Sequence, residues 1–195
     1  MNDIGHPQLD PVQSSPKKEE NFVFEVLKIF LIALVIVAPI RLFIAQPFVV
    51  SGASMEPTFE DKEYLIVDQV SYALENPSRG DVVIFRFPLD PSKFFIKRIV
   101  GLPNETVELR DHDIIIANSE NPDGMILDES YILPENQASD YLTVTLNDDE
   151  YFVMGDNRKD SSDSRIWGVL QKDLIVGRAF LRLAPPSRIS LFPGQ

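Results

Sequence analysis

The sequence predicts a mostly β protein: a compact antiparallel β-sheet or barrel-like domain with a small inserted β subregion, preceded by one N-terminal transmembrane helix. Three observations carry this reading. An unbroken apolar run, Ile29 to Ile40, stands between Lys28 and Arg41. Beyond it the pattern changes to short β-rich runs separated by Gly, Pro, Asn and Asp clusters. No long helical period appears outside the first run.

Residues 1–21 are polar, contain Pro7, Pro11 and Pro16, and show no hydrophobic period, so they are expected to form a disordered tail. Residues 22–46 are read as a membrane anchor. The twelve-residue run covers only about 18 Å as helix, but Val26 to Ala45 reaches about 30 Å, the thickness of a hydrocarbon core. Lys28 and Arg41 then lie near the two faces, where long cationic side chains snorkel. A buried core helix would show a polar face, and this run has none. A cleaved leader would need a small-x-small site, and Pro39 follows Ala38 where the cut would fall. Lys17, Lys18 and Lys28 precede the run and Arg41 follows it, which favours a cytoplasmic N-terminus and an exported C-terminal domain.

Residues 47–195 form the remaining domain. Strands are expected at Pro47–Val50, Tyr64–Asp68, Asp81–Phe87, Phe94–Val100, Thr106–Leu109, Asp113–Ile116, Tyr141–Leu146, Tyr151–Met154 and Leu174–Leu183. Many short strands suggest a compact barrel or folded sheet. The stretch from about 111 to 150 is richer in acidic and turn residues and reads as an inserted, less regular subregion.

Composition narrows the chemistry. A formal net charge of −12 argues against nucleic acid as a partner, because phosphate binding needs clustered Lys and Arg. The chain has no cysteine, which excludes disulfides, thiol catalysis and cysteine metal sites. Two histidines, His6 and His112, make a multi-histidine metal centre untenable, and no metal is expected.

Three local clusters contain groups able to do chemistry. Ser51-Gly52-Ala53-Ser54-Met55-Glu56-Pro57-Thr58 follows the anchor. A serine among small residues on a turn presents its hydroxyl to close approach, although such a segment alone is also an ordinary turn. Phe94-Phe95-Ile96-Lys97-Arg98-Ile99-Val100 places a lysine in an apolar strand. Apolar surroundings disfavour the ammonium and lower its pKa, which would let Lys97 accept a hydroxyl proton. Simple alternation, with Lys97 on a solvent face, is the other reading of the same segment. The third cluster, Tyr151-Phe152-Val153-Met154-Gly155-Asp156-Asn157-Arg158 followed by Asp160 to Arg165 and Trp167-Gly168, is a strand running into a dense polar loop. Asp163 and Arg165 there would also suit a surface pair of little energetic weight.

Together and in this order, the clusters closely resemble type I signal peptidases, the leader peptidase family. The matching stretches are Ser-Met-x-Pro-Thr at Ser54–Thr58, Arg-Gly-Asp-Val-Val at Arg79–Val83, Lys-Arg-Ile-Val-Gly-Leu-Pro at Lys97–Pro103, and Gly-Asp-Asn-Arg-x-x-Ser-x-Asp-Ser-Arg at Gly155–Arg165. The resemblance covers roughly Phe22 to Leu183, is weakest across Asp111–Glu150, and is absent from the first 21 residues.

The resemblance implies a Ser–Lys dyad, with Ser54 as nucleophile and Lys97 as general base. It implies that Ser161 orients the lysine amine, and that Asp156 with Arg98 and Asp163 with Arg165 are supporting ion pairs. The Ser54 backbone N–H would be one oxyanion donor. Where some members have a second donor hydroxyl, this chain has Gly52, which puts that contribution in doubt. No cofactor is implied. The implied substrates are signal peptides of exported preproteins, cut after small-x-small sequences such as Ala-x-Ala, and the lipid bilayer is the other partner. The strands around Phe48, Val50 and Gly52, and around Phe95 and Ile96, are the expected walls of the substrate cleft, with plain core as the other reading of the phenylalanines. The membrane would be a plasma membrane or an internal photosynthetic one, facing periplasm, exterior or thylakoid lumen. A self-cleaving repressor-like peptidase shares such a dyad, but lacks an apolar anchor and carries a DNA-binding basic segment. A histidine triad would need His112, whose Arg-Asp-His-Asp setting reads as an exposed turn. A tethered binding module with a degenerate peptidase fold would require loss of Ser54 or Lys97, and both are present.

Overall fold

The computed structural model describes residues 22–39 and 45–194. The tail at 1–21, Ile40 and Arg41 lie outside these residues. The chain divides into two units, at Ala38/Pro39. The first contains helix α1, Phe22–Pro39, apart from its last residue. Its side chains from Phe22 to Val35 are exposed, apart from the half-buried Glu25. Among the described residues, no helix is long and apolar enough to cross a membrane.

The second unit is built of antiparallel strands, as expected. In chain order they are β1 (Ala45–Val49), β2 (Tyr64–Asp68), β3 (Val82–Phe87), β4 (Asp90–Gly101), β5 (Thr106–Asp111), β6 (Asp113–Ala117), β7 (Met125–Ile126), β8 (Asp140–Thr145), β9 (Glu150–Met154), β10 (Leu170–Gln171), β11 (Ile175–Ala184) and β12 (Ser190–Leu191). Since β1 begins at Ala45, strand replaces helix over the last two residues of the 22–46 segment.

Two sheets result. The larger runs β1-β2-β11-β3-β4-β9-β10, with β12 paired to β11, and the smaller runs β7-β6-β5-β8. Every pairing is antiparallel. The smaller sheet starts at Thr106, so β5 already belongs to it, while 118–139 holds only the short β7 and a single 3-10 turn.

Alternation explains why β3 reads as a continuous apolar run. Val82 and Ile84 face one core cluster with Val50, Met55, Phe59, Leu65 and Val67. Val83 and Phe85 face the opposite cluster with Ile99, Tyr151 and Val153. A third cluster joins Val107, Leu109, Ile114 and Ile116 of the smaller sheet to Val100, Phe152 and Met154 of the larger. Burying both faces leaves no room for the polar alternation of a half-solvated strand.

Register then decides which groups meet. Lys97 of β4 pairs with Val83, and Arg98 pairs with Val82 on one side and Met154 of β9 on the other. From Asp90 to Lys97, β4 is paired only to β3 among the described residues. β1 likewise is paired only to β2. Both of these edges are therefore open among the described residues.

Candidate active site

The Ser54 loop is fixed by its own apolar side chains. Met55 and Phe59 are fully buried, and the Phe59 N–H closes a turn on the Met55 carbonyl at 2.9 Å. Val50 exchanges backbone bonds with the returning chain, its N–H to Glu63 and its carbonyl from Lys62, both 2.9 Å. Gly52 sits at φ +92°, a conformation that costs a residue with a Cβ but not glycine. Its N–H donates to Asp61 Oδ1 at 3.0 Å. From beneath, Arg182 donates to the Thr58 carbonyl (2.7 Å) and Arg188 to the Pro57 carbonyl (3.0 Å).

This loop carries Ser54 to the amine of Lys97, and Nζ lies 2.7 Å from Ser54 Oγ. The amine also donates to the Ile96 carbonyl at 2.9 Å. Lys97 is only 4% exposed, so the solvent-face reading fails. Burial pulls its pKa down from 10.5 to about 8, against the opposing pull of Asp163 and Asp156. An amine of that pKa is about one-tenth neutral at pH 7, against less than about a thousandth at its ordinary value, and the neutral form has a free lone pair to receive a proton.

Asp156 and Arg98 form the buried pair behind the dyad. Arg98 Nε and Nη2 reach the two carboxylate oxygens at 2.9 and 2.6 Å. Arg98 Nη1 donates to the Gly80 and Gly194 carbonyls, and Thr58 Oγ1 donates to Asp156 Oδ2 at 2.5 Å. Burial acts to lower the Arg98 pKa, but the Asp156 contacts more than offset it and the group is raised. Removing one partner of such a pair strands a buried charge, at a cost of about 3–5 kcal/mol.

Asp163 is fully buried and caps the short helix α2, Ser164–Trp167, by accepting from the Arg165 N–H. It also takes the Arg165 guanidinium at 2.8 Å through each oxygen and the Gly155 N–H at 3.1 Å. The surface-pair reading of these two residues therefore fails.

Ser161 packs beside Gly155 and makes no hydrogen bond to Lys97. Its hydroxyl is buried beside Gly155 and has no hydrogen-bond partner among the described residues. The orienting contact with Lys97 is not formed in this conformation. His112 lines a separate pocket with Glu129 and Arg158, away from the cleft at Ser54.

All five expected wall residues, Phe48, Val50, Gly52, Phe95 and Ile96, line one cleft of about 540 Å³ together with Ser54 and Lys97. Leu65 and Ile84 add apolar surface to it. The Phe48 and Phe94 rings meet edge to face at 5.2 Å. The cleft thus lies between the open edges of β1 and β4. Among the described residues, no group of His, Asp and Glu is arranged to hold a metal ion.

Several contributors carry no mark that sequence reasoning used. Asn157 lies inside a matched motif, and its N–H donates to the Ser54 carbonyl at 3.0 Å and its amide to the Ala53 carbonyl at 3.3 Å. Thr58 is likewise inside a motif. Asp61, Leu65 and Ile84 lie outside the motifs, and only the fold brings them in.

Comparison with known proteins follows the same lines. A family model described as "Signal peptidase, peptidase S26" matches residues 23–184. The chain is 37% identical to "Probable signal peptidase I-2" of Synechocystis sp. over 92% of its own length and 83% of that protein's. It is 34% identical to "Signal peptidase I" of Leptolyngbya laminosa, covering 96% and 94% of the two chains. It is 31% identical to "Signal peptidase I" of Pseudomonas aeruginosa, covering 88% and 76%.

Proposed function

The chain belongs to the signal peptidase family, peptidase S26, and is a serine endopeptidase; from that premise we propose that it removes N-terminal signal peptides with Ser54 as nucleophile and neutral Lys97 as general base. The observation that carries this reading is the 2.7 Å approach of a buried lysine amine to a serine hydroxyl on the wall of an apolar cleft.

The steps follow from that contact. Ser54 Oγ attacks the scissile carbonyl carbon while its proton passes to Lys97 Nζ. The C–N bond breaks, and the Lys97 ammonium returns the proton to the departing amine. Lys97, neutral again, takes a proton from water, the resulting hydroxide attacks the Ser54 ester, and the ester opens with return of the proton to Oγ. The developing oxyanion faces the Ser54 backbone N–H. Gly52 offers no hydroxyl there, and its own N–H is engaged by Asp61.

The substrate lies extended between the edges of β1 and β4, which supply main-chain partners on both sides. Apolar walls at Phe48, Val50 and Ile96, with Leu65 and Ile84 below, favour small side chains before the cut, as in Ala-x-Ala. Ser161, Asp156, Arg98, Asp163 and Arg165 take supporting places around the dyad. The segment from residue 22 that contains α1 anchors the chain in the bilayer, with residues 1–21 cytoplasmic and the domain from β1 onward on the exported face. The exposed apolar surface of α1 supports this.

Cleavage of a signal-peptide-bearing preprotein tests the reading. Ser54→Ala, Lys97→Ala and Lys97→Arg should each abolish it while remaining folded, since guanidinium does not release its proton near neutral pH. Turnover by any of the three would refute the dyad. Leu or Phe just before the cut should lower kcat/KM, and acceptance of either as readily as Ala would refute the pocket. The full chain should resist extraction by alkaline carbonate, and release would refute the anchor.

A further inference from the structure

The connection between β7 and β8 looks from sequence like the least organised part of the domain, yet it grips the site at three points. Asn136, itself buried, donates through Nδ2 to the Glu56 carbonyl at 2.9 Å, two residues beyond Ser54. The Tyr131 ring faces the Arg98 guanidinium at 4.2 Å, one residue beyond Lys97. Glu129 holds both terminal nitrogens of Arg158 at 2.8 and 2.5 Å, and Arg158 Nε in turn donates to the Gly155 carbonyl at 2.9 Å.

We propose that the segment from Glu129 to Asn136 is a positioning device for the reaction, holding the Ser54 loop, the Lys97 strand and the Gly155 loop in one mutual register. The inference rests on the roles given above to Ser54 and Lys97. None of the three residues touches either dyad atom, so each acts through another group.

The chemistry of the contacts separates this from plain covering of a core. Apolar side chains would suffice to exclude water. Here an amide, a phenol ring and a carboxylate are each aimed at a main-chain carbonyl or a guanidinium belonging to a different motif. The segment is also braced within itself. The Ile132 N–H closes on the Glu129 carbonyl and the Asn136 N–H on the Leu133 carbonyl, both at 2.8 Å, and the Ile132 side chain is buried. A braced segment with three fixed contacts constrains its targets, because moving one loop would break bonds to the other two.

The electrostatic consequence is specific. Asp163 and Asp156 are the charged groups acting on Lys97, and both favour its ammonium. Arg98 covers Asp156 from the side that Tyr131 holds. Loosening Arg98 uncovers Asp156, so Lys97 keeps its proton to higher pH and the base is lost over a wider range.

The test compares full-length wild type with Asn136→Ala, Tyr131→Leu, Tyr131→Phe and Ser54→Ala on one signal-peptide-bearing substrate. It records kcat, KM, the pH profile of kcat and thermal unfolding. Asn136→Ala and Tyr131→Leu should lower kcat about ten- to a hundredfold with KM within about twofold, as small misplacements of reacting groups do. Tyr131→Leu should also move the acid limb of the profile to higher pH, and Tyr131→Phe, which keeps the ring, should recover most of kcat. Wild-type kcat in the first two variants overturns the proposal. So does a loss that matches the loss of folded protein with the acid limb unmoved, or one that Tyr131→Phe shares in full. Should Tyr131→Leu fail to fold, Asn136→Ala decides by the same split of kcat from KM. Activity in Ser54→Ala would instead overturn the dyad, and would leave the two failures distinguishable.

Discussion

Lys97 is the residue at which stability and the proposed chemistry oppose one another. Its pKa falls from 10.5 to about 8, a shift worth about 3 kcal/mol. Between those values the unfolded chain binds more protons than the folded one, so stability rises with pH across that window and the full penalty applies below it. Lys97→Met, which keeps the stem and removes the charge, should therefore raise the unfolding temperature at about pH 7. The gain should shrink as pH climbs through the window, and an equal gain on both sides of it would mean that burial of the charge is not its source. At this scale the motifs named Ser54, Lys97, Asp156 and Asp163, and the structure places Lys97 in contact with Ser54 and within the electrostatic reach of both carboxylates. The sequence could not say that Lys97 points inward, because alternation along β4 serves a buried and a solvent face equally well. Nor could it give the rotamer of Ser161, whose hydroxyl stays unpartnered beside Gly155.

At the scale of elements, the Gly155 loop is the tightest fit in the site. A Cβ at Gly155 would collide with the Ser161 hydroxyl and the Ser54 carbonyl together. Gly155→Ala should thus destabilise by about 1–3 kcal/mol, as overpacking does. It should also lower kcat by about a hundredfold, because the clash displaces the Ser54 loop, the proposed seat of the nucleophile. A variant as active as wild type would mean that the loops yield without consequence. The longer strands were legible from alternation and turn residues, and most boundaries fell within a few residues. The two-residue strands β7, β10 and β12 were not, since two residues carry no period. The β7–β8 connection escaped for a different reason: Glu129, Tyr131 and Asn136 matter through partners far away in sequence, and nothing local marks such a residue.

For the molecule as a whole, the edge of β1 and the unpaired Asp90–Lys97 side of β4 line one cleft, an arrangement no local pattern announces because it depends on β1 lying opposite β4. A peptide that binds there binds the folded state alone. Ser54→Ala, saturated at about a hundred times Kd with an extended Ala-x-Ala peptide, should gain about 2.7 kcal/mol of stability. That is roughly 5–10 °C in unfolding temperature for a domain of this size. A peptide with bulky residues at both small positions should give no shift, and an equal shift would show that the cleft does not read side chains. The open slot also has a consequence in time. A gap between two strand edges admits a chain only while that chain has spare hydrogen-bonding groups and no tertiary structure around the cut. A passenger that has already folded up to its leader has spent those groups and cannot enter. On the proposed binding mode, cleavage therefore belongs to the interval before the passenger folds, and a fast-folding passenger competes with its own maturation.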